Sequence, residues 1–122
     1  MSPAVAGLLA IAACASAPRG PAPDLLPPGD HTAADKRAAV ARIELCRTTD
    51  RQIEAAFGPP THDGRLGRYA LRTWVVDMFK LGDTTLPRAL VVLVDAATSI
   101  VVDLSWDAPI LGVTWIPRDQ CR

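Results

Sequence analysis

The stretch Thr48 to Pro60, TTDRQIEAAFGPP, does most to limit what this chain can become. It reads as a short helix with both ends written in side-chain chemistry. Thr49 stands as an N-cap with Gln52 three residues on, the spacing of a capping box, and Thr48 offers the same cap one residue earlier. Ile53, Ala56 and Phe57 recur at i, i+3 and i+4 and so share one face, with Phe57 as its largest anchor. Gly58 accepts a left-handed conformation after the last turn, and Pro59 and Pro60 bar any continuation. Downstream, the pattern changes to strand and turn. A helix with one apolar face, followed only by strands, is predicted to lie on a sheet.

The strands can be read in order. Thr61 to Gly67, THDGRLG, carries turn chemistry centred on Asp63-Gly64. Arg68 to Phe79, RYALRTWVVDMF, predicts a strand with Arg72, Trp74, Val76 and Met78 on one face and Tyr69, Leu71, Thr73 and Val75 on the other. Lys80 to Pro87 reads as a polar connection. Arg88 to Asp95, RALVVLVD, is almost continuously apolar, the pattern of a central, well-covered strand. After a turn at Ala96-Ala97-Thr98, Ser99 to Trp106 sets Ile100, Val102, Leu104 and Trp106 against Asp103 and Ser105. Gly112 to Ile116, GVTWI, predicts a short last strand. Upstream, Thr32 with Asp35 three residues on caps a helix over Ala33 to Cys46. These connections are too short for crossover helices. The expected fold is therefore α+β: two N-terminal helices packed on a three- to four-stranded antiparallel sheet, spanning residues 32–122.

The front of the chain reads differently. Ala4 to Ala13, AVAGLLAIAA, is an uncharged apolar run of ten residues, too short to span a bilayer and suited to the core of a signal peptide. Ile11-Ala12-Ala13-Cys14 follows the lipobox pattern and resembles that of bacterial lipoproteins. The resemblance implies a signal peptide over residues 1–13, cleavage before Cys14 and a lipid on the Cys14 sulfur. No Lys or Arg precedes the apolar run, which departs from the usual signal. An ordinary signal peptide cut after Ala13-Cys14-Ala15 is the other reading. Residues 14–31, rich in Pro and Gly, read as a tether that holds the domain off a membrane surface, or as an arm with no mechanical role. Leu25 and Leu26 are the one hydrophobic pair there, available to dock on the domain or on a partner.

The residues Thr48-Thr49, Ile53, Phe57-Gly58-Pro59-Pro60, Trp74, Val91 to Asp95 and Val101-Val102, taken with the lipobox and the Pro-rich tether, resemble the BamE-like (SmpA/OmlA) family of small outer-membrane lipoproteins. The likeness covers roughly Arg42 to Leu104. It implies an α-α-β-β-β sandwich, lipid-anchored on the periplasmic face of the outer membrane, without a cofactor, binding a protein partner among the components that assemble β-barrels. The chain departs from the family at Cys46, where a Gly usually stands in the joint between the helices, and at Cys121 in the tail. The same layout also resembles small secreted inhibitor domains, whose partner would be a periplasmic hydrolase.

With Cys14 lipidated, Cys46 and Cys121 remain, and an even pair in an exported chain reads as a disulfide. The alternative is a buried free Cys46 and an exposed free Cys121.

Enzyme chemistry finds little support. His31 and His62 are the two histidines, one beside the tether and one in a turn, and no cluster has metal-ligand spacing. Ser99 and Ser105 have no His in sequence context to activate them. Gly64-Arg65-Leu66-Gly67 lacks the Lys of a phosphate loop. A net charge of zero argues against nucleic acid. The expected protein is a non-catalytic binding or scaffold module with no metal and no small-molecule substrate. Its partner-binding candidates are Trp115, Leu25 and Leu26. Trp74 and Trp106 are assigned to the core, and Trp115 to either core or a recognition surface.

Overall fold

The computed structural model describes residues 21–106 and 115–122. Two helices, α1 (Ala33–Val40) and α2 (Asp50–Phe57), precede four strands, β1 (His62–Leu66), β2 (Tyr69–Leu81), β3 (Thr84–Asp95) and β4 (Ile100–Trp106). The strands form one antiparallel sheet in the order β1-β2-β3-β4. The α+β class and the meander agree with the sequence. The signal peptide, Cys14 and most of the expected last strand lie outside the described residues, and Trp115-Ile116 form no strand.

α2 begins and ends as its residues dictate. The Thr49 side chain accepts from the Gln52 backbone N–H at 3.2 Å, and the Gln52 side chain accepts from the Thr49 N–H at 3.0 Å. Gly58 closes the helix at φ 86, with ψ −172 extended rather than left-handed helical. Its carbonyl then accepts from the Trp74 indole at 2.7 Å, which ties the end of α2 to the sheet. Ile53, fully buried, is the deep anchor of α2; Phe57 is half-buried at the core's margin.

α1 also carries the expected capping box, Thr32 with Asp35, but it stops at Val40 rather than Cys46. The reason is long-range. Residues 46–49 leave helical geometry to run along the free edge of β4. The Cys46 N–H donates to the Val101 carbonyl at 2.8 Å, Val101 N–H to Thr48 at 2.9 Å, and Asp50 N–H to Ser99 at 3.0 Å. Cys46 has a φ of 72, the left-handed region where glycine is normally required.

Two stretches expected as loops are strands. His62–Leu66 pairs in full with β2, so Asp63-Gly64 lies in a strand and the turn is Gly67-Arg68. The Lys80–Pro87 connection shrinks to Gly82-Asp83, with Leu81 opposite Thr84. Gly67 (φ 62) and Gly82 (φ 64) each take the first central position of a two-residue hairpin turn, where a positive φ matches the strand twist.

A bulge at Val76 shifts the face pattern of β2. Ala70, Trp74 and Val76 face the helices, together with Leu90, Val92, Val94 and Val101. Beyond the bulge the parity reverses. Asp77 and Phe79 turn to the helix side, and Met78, expected beside Trp74, becomes exposed.

The domain also begins earlier than 32. Leu25 is 1% exposed and Ala22 4%, and Leu25 belongs to the core cluster between helices and sheet. Arg42 donates to the Leu25 carbonyl at 2.8 Å, Gln52 to Ala22 at 2.6 Å and Arg47 to Pro21 at 3.2 Å. Pro and Gly exclude a regular element here, but they do not exclude packing. Side chains from α2 and from the joint between the helices satisfy the carbonyls that no ladder would.

Candidate functional site

Several carboxylates of the domain are paired with arginines. Asp50, buried at the first turn of α2, meets Arg72 at 2.8 Å, and Arg72 also reaches Asp63 at 3.4 Å. Asp77 sits between Arg37 of α1 and Arg88 of β3, and Arg88 lies 5.0 Å from the Phe79 ring centroid. Asp95 pairs with Arg68 at 2.9 Å. The Ala97 backbone N–H, then Arg68, hold the Asp95 carboxyl below its usual range. A general acid near neutral pH needs the opposite shift. Among the described residues no three His, Cys, Asp or Glu side chains gather to hold a metal. His62 is exposed on β1, and the His31 imidazole lies at hydrogen-bond distance from the Pro27 carbonyl. The signal for the Arg72 and Arg88 pairs was present in the sequence as arginines at core-facing strand positions. Their partners, nine (Asp63) to twenty-two (Asp50) residues away on other elements, were not.

The other face of the sheet is the more informative surface. Its residues follow from the register: Leu66 opposite Tyr69, Thr73 opposite Val91, Val75 opposite Ala89, and Leu93 opposite Asp103. The tail crosses one end of this face. Arg118 N–H donates to Asp103 at 2.9 Å, the Tyr69 hydroxyl to Asp119 at 2.8 Å, and Gln120 N–H to the Val102 carbonyl at 2.9 Å. The Cys121 N–H bond, followed by Tyr69 and Arg122, keeps the Asp119 carboxyl below its ordinary range; the Asp119 bond raises the Tyr69 phenol. Leu93 and Val102 are buried at this end, although the helices lie on the opposite face.

The tail ends in a disulfide between Cys121 and Cys46, with Cα atoms 5.6 Å apart across a separation of 75 residues. The bridge closes the sheet's two sides together, because Cys46 belongs to the strip along β4 and Cys121 to the tail over the outer face.

Away from the tail the outer face is open among the described residues. Val75 and Met78 are exposed, Leu66 lies at its β1 margin, and Ile116 upstream of the tail contacts is 74% exposed. Trp115 is half-buried. Leu25 and Leu26 dock on the domain itself: Leu25 is in the core and Leu26 is packed against it, so Leu25 presents nothing to a partner. Beside them, Leu26, Pro28, His31, Gln52 and Ala56 line a shallow hollow of about 300 Å³. The chain matches no family model, no curated protein and no solved structure. The surface must therefore be read from its own chemistry: apolar and β-branched side chains on a sheet, Asp95 and Asp119 paired with Arg68 and Arg122, and a tail fastened by a disulfide. Such a surface can bury area against another protein.

Proposed function

We propose that this protein is a non-catalytic lipoprotein of a bacterial envelope, anchored through Cys14 to the periplasmic face of the outer membrane, whose domain binds a protein of the β-barrel assembly apparatus. The observation that carries the binding role is the open half of the outer sheet face, with Val75 and Met78 exposed on a sheet whose opposite face is covered by helices. Two further points support the reading. A disulfide across the domain fits an oxidising compartment, as the lipobox does. The φ of 72 at Cys46 fits the BamE-like pattern, in which glycine holds this joint. The extra strand β1 is a departure from the family's three-stranded layout.

The test has two arms. Replacing Cys14 by Ser should move the mature protein from floated membranes to the soluble fraction; continued flotation after cleavage refutes the anchor. Cross-linking in intact cells, followed by capture, should then recover β-barrel assembly components, and Val75→Asp with Met78→Asp should abolish that recovery. Recovery of a soluble hydrolase, unaffected by the two substitutions, would establish the inhibitor reading in place of the assembly one.

A further inference from the structure

We propose that the domain forms a two-fold dimer through the free edge of β1, which pairs antiparallel with β1 of a second copy about Gly64 and joins two four-stranded sheets into one. The inference goes beyond the binding role and does not rest on a lipid at Cys14.

The first argument is which backbone groups are left open. β1 is an end strand of the sheet, and all five of its residues are exposed. Its hairpin with β2 has a two-residue turn, so Leu66 and Tyr69 close it as a hydrogen-bonded pair. Gly64 with Leu71 and His62 with Thr73 follow in the same phase. The Thr61 N–H also donates to the Thr73 carbonyl, at 2.7 Å, which fits that phase. The N–H and C=O groups of Asp63 and Arg65 therefore point away from β2. Among the described residues nothing pairs with them. The β4 edge differs: Cys46 and Thr48 bond to Val101, Asp50 to Ser99 and Gln120 to Val102. A guest strand finds its open donors and acceptors beside β1.

The second argument is charge, and it selects a second copy as the guest. Asp63 and Arg65 stand on either side of Gly64. A two-fold axis at Gly64 sets Asp63 of each copy opposite Arg65 of the other. The open backbone groups of these residues then face each other, so each pair exchanges both of its hydrogen bonds beneath an ion pair. Shifting the register by two residues opposes Asp63 to Asp63 or Arg65 to Arg65. A shift by one aims closed backbone groups at open ones, and parallel in-register pairing sets each charge beside its own kind. Charges on an edge normally turn a guest strand away. Here the opposite signs admit this same sequence in one register. Both side chains are available: Asp63 is 54% exposed despite its contact with Arg72, and Arg65 is exposed without an ion pair among the described residues.

The third argument is what the axis does to the two faces. Asp63 and Arg65 lie opposite Arg72 and Ala70, and Ala70 faces the helices. His62, Gly64 and Leu66 therefore lie on the outer face. An axis perpendicular to the sheet keeps the helices of both copies on one side and makes the outer faces continuous. His62 of each copy comes opposite Leu66 of the other, which covers a leucine that is 47% exposed. At the axis itself Gly64 presents no side chain. Both copies use the same edge, so the assembly closes at two and does not grow into a filament. A five-residue edge buries little area, which places the dimer among weak interfaces, with a dissociation constant of about 10 μM to 1 mM.

The test uses the full mature chain with its native disulfide oxidised, in sedimentation equilibrium at matched detergent density up to about 1 mM. Wild type should associate to a dimer. Asp63→Arg and Arg65→Asp should each raise the dissociation constant at least about tenfold, because each opposes like charges across the axis. Their equimolar mixture should regain a heterodimer of wild-type affinity, since every cross-strand pair is again of opposite sign. Unfolding midpoints establish that the variants are folded. Arg65→Asp carries the test alone if Asp63→Arg loses its fold with the Arg72 contact. The second measurement is Gly64→Cys, where a Cβ meets only the Leu71 carbonyl at 3.8 Å. Facing Cα atoms at the axis fall about 4.5 Å apart, within reach of a disulfide. Under mild oxidation position 64 should cross-link several-fold faster than Asp83→Cys at the β2–β3 hairpin tip, and Arg65→Asp should remove the excess. Wild type that stays monomeric throughout, or association unchanged by charge reversal, overturns the proposal. Association lost in Val75→Asp/Met78→Asp protein but kept in Arg65→Asp moves the contact to the open outer face and overturns it as well.

Discussion

Cys46 is asked to do two things that conflict, and separating them is the sharpest test of the fold. It closes a 75-residue loop with Cys121, and it does so at a φ of 72. In the chain-entropy treatment a loop of this length contributes about 4.5 kcal/mol, through restriction of the unfolded chain. A left-handed residue with a Cβ costs roughly 1–2 kcal/mol. Cys46→Ala loses the bridge and keeps the Cβ penalty. Cys46→Gly loses the bridge but relieves the penalty, less the roughly 0.4–1 kcal/mol by which glycine loosens the unfolded chain. The expected order of stability is wild type, then Cys46→Gly, then Cys46→Ala, with the two variants separated by about 0.5–1 kcal/mol and both some 3–5 kcal/mol below wild type. Cys121→Ser should fall with Cys46→Ala, since it too leaves a Cβ at position 46. Equilibrium urea unfolding under non-reducing conditions measures all four, with ΔG taken from each fitted slope, because removing a cross-link also changes the slope. If Cys46→Ala proves equal to or more stable than Cys46→Gly, the left-handed joint is refuted. A loss below 1 kcal/mol in Cys121→Ser refutes the bridge as a stabilising element.

Three other outcomes follow from single contacts. Leu25→Ala should cost about 2–5 kcal/mol by urea unfolding, as for any fully buried leucine, whereas a free tether would give no change. Trp74→Phe removes the indole bond to Gly58 while keeping most of the ring, and should cost about 1–3 kcal/mol by the same measurement; a neutral result would mean that the end of α2 is held by other contacts. The tail should loosen in acid: the Asp119 carboxyl is depressed in the fold, so its contribution is present above the unfolded value near ~4 and is lost as pH falls through the lower folded value. Hydrogen exchange at Cys121 and Gln120 should accelerate below that pH relative to the β2–β3 ladder, and Asp119→Asn should remove the difference.

What could be read in advance was chemistry confined to a few neighbouring residues. Both capping boxes were legible because Thr49 and Gln52, or Thr32 and Asp35, meet within one turn. The apolar run of β3 was legible because a strand covered on both faces needs no alternation. The failures share a cause. Arg42 to Cys46 has helical composition, yet the backbone of Cys46 is taken by Val101, fifty-five residues on. Asp63-Gly64 has turn chemistry, but the whole of β1 gains a partner in β2, and five ladder pairs outweigh one local preference. Thr84-Thr85 suits a strand once Gly82-Asp83 is recognised as the turn; the polar content of the stretch concealed this. For the Asp50–Arg72 and Asp77–Arg88 pairs only the arginines on the core-facing side of the strands were legible, because charge carries no periodicity that names its partner.

The strip formed by residues 46–49 has a consequence in time. Chains are made from the N-terminus, and the β4 residues that satisfy this strip arrive about fifty positions later. At roughly 5–20 residues per second, that is a delay of about 3–10 s. Over that interval the strip has no β4 to pair with, and Cys46 has no Cys121 to bond. An eight-residue helix does not persist alone in water, whatever its caps. The joint between the helices is thus early in sequence and late to be paired. Cys121, which emerges after every strand, closes the domain only when the register of β4 has already been tested against residues 46–49. The bridge acts as a final proof that the meander was laid down in order.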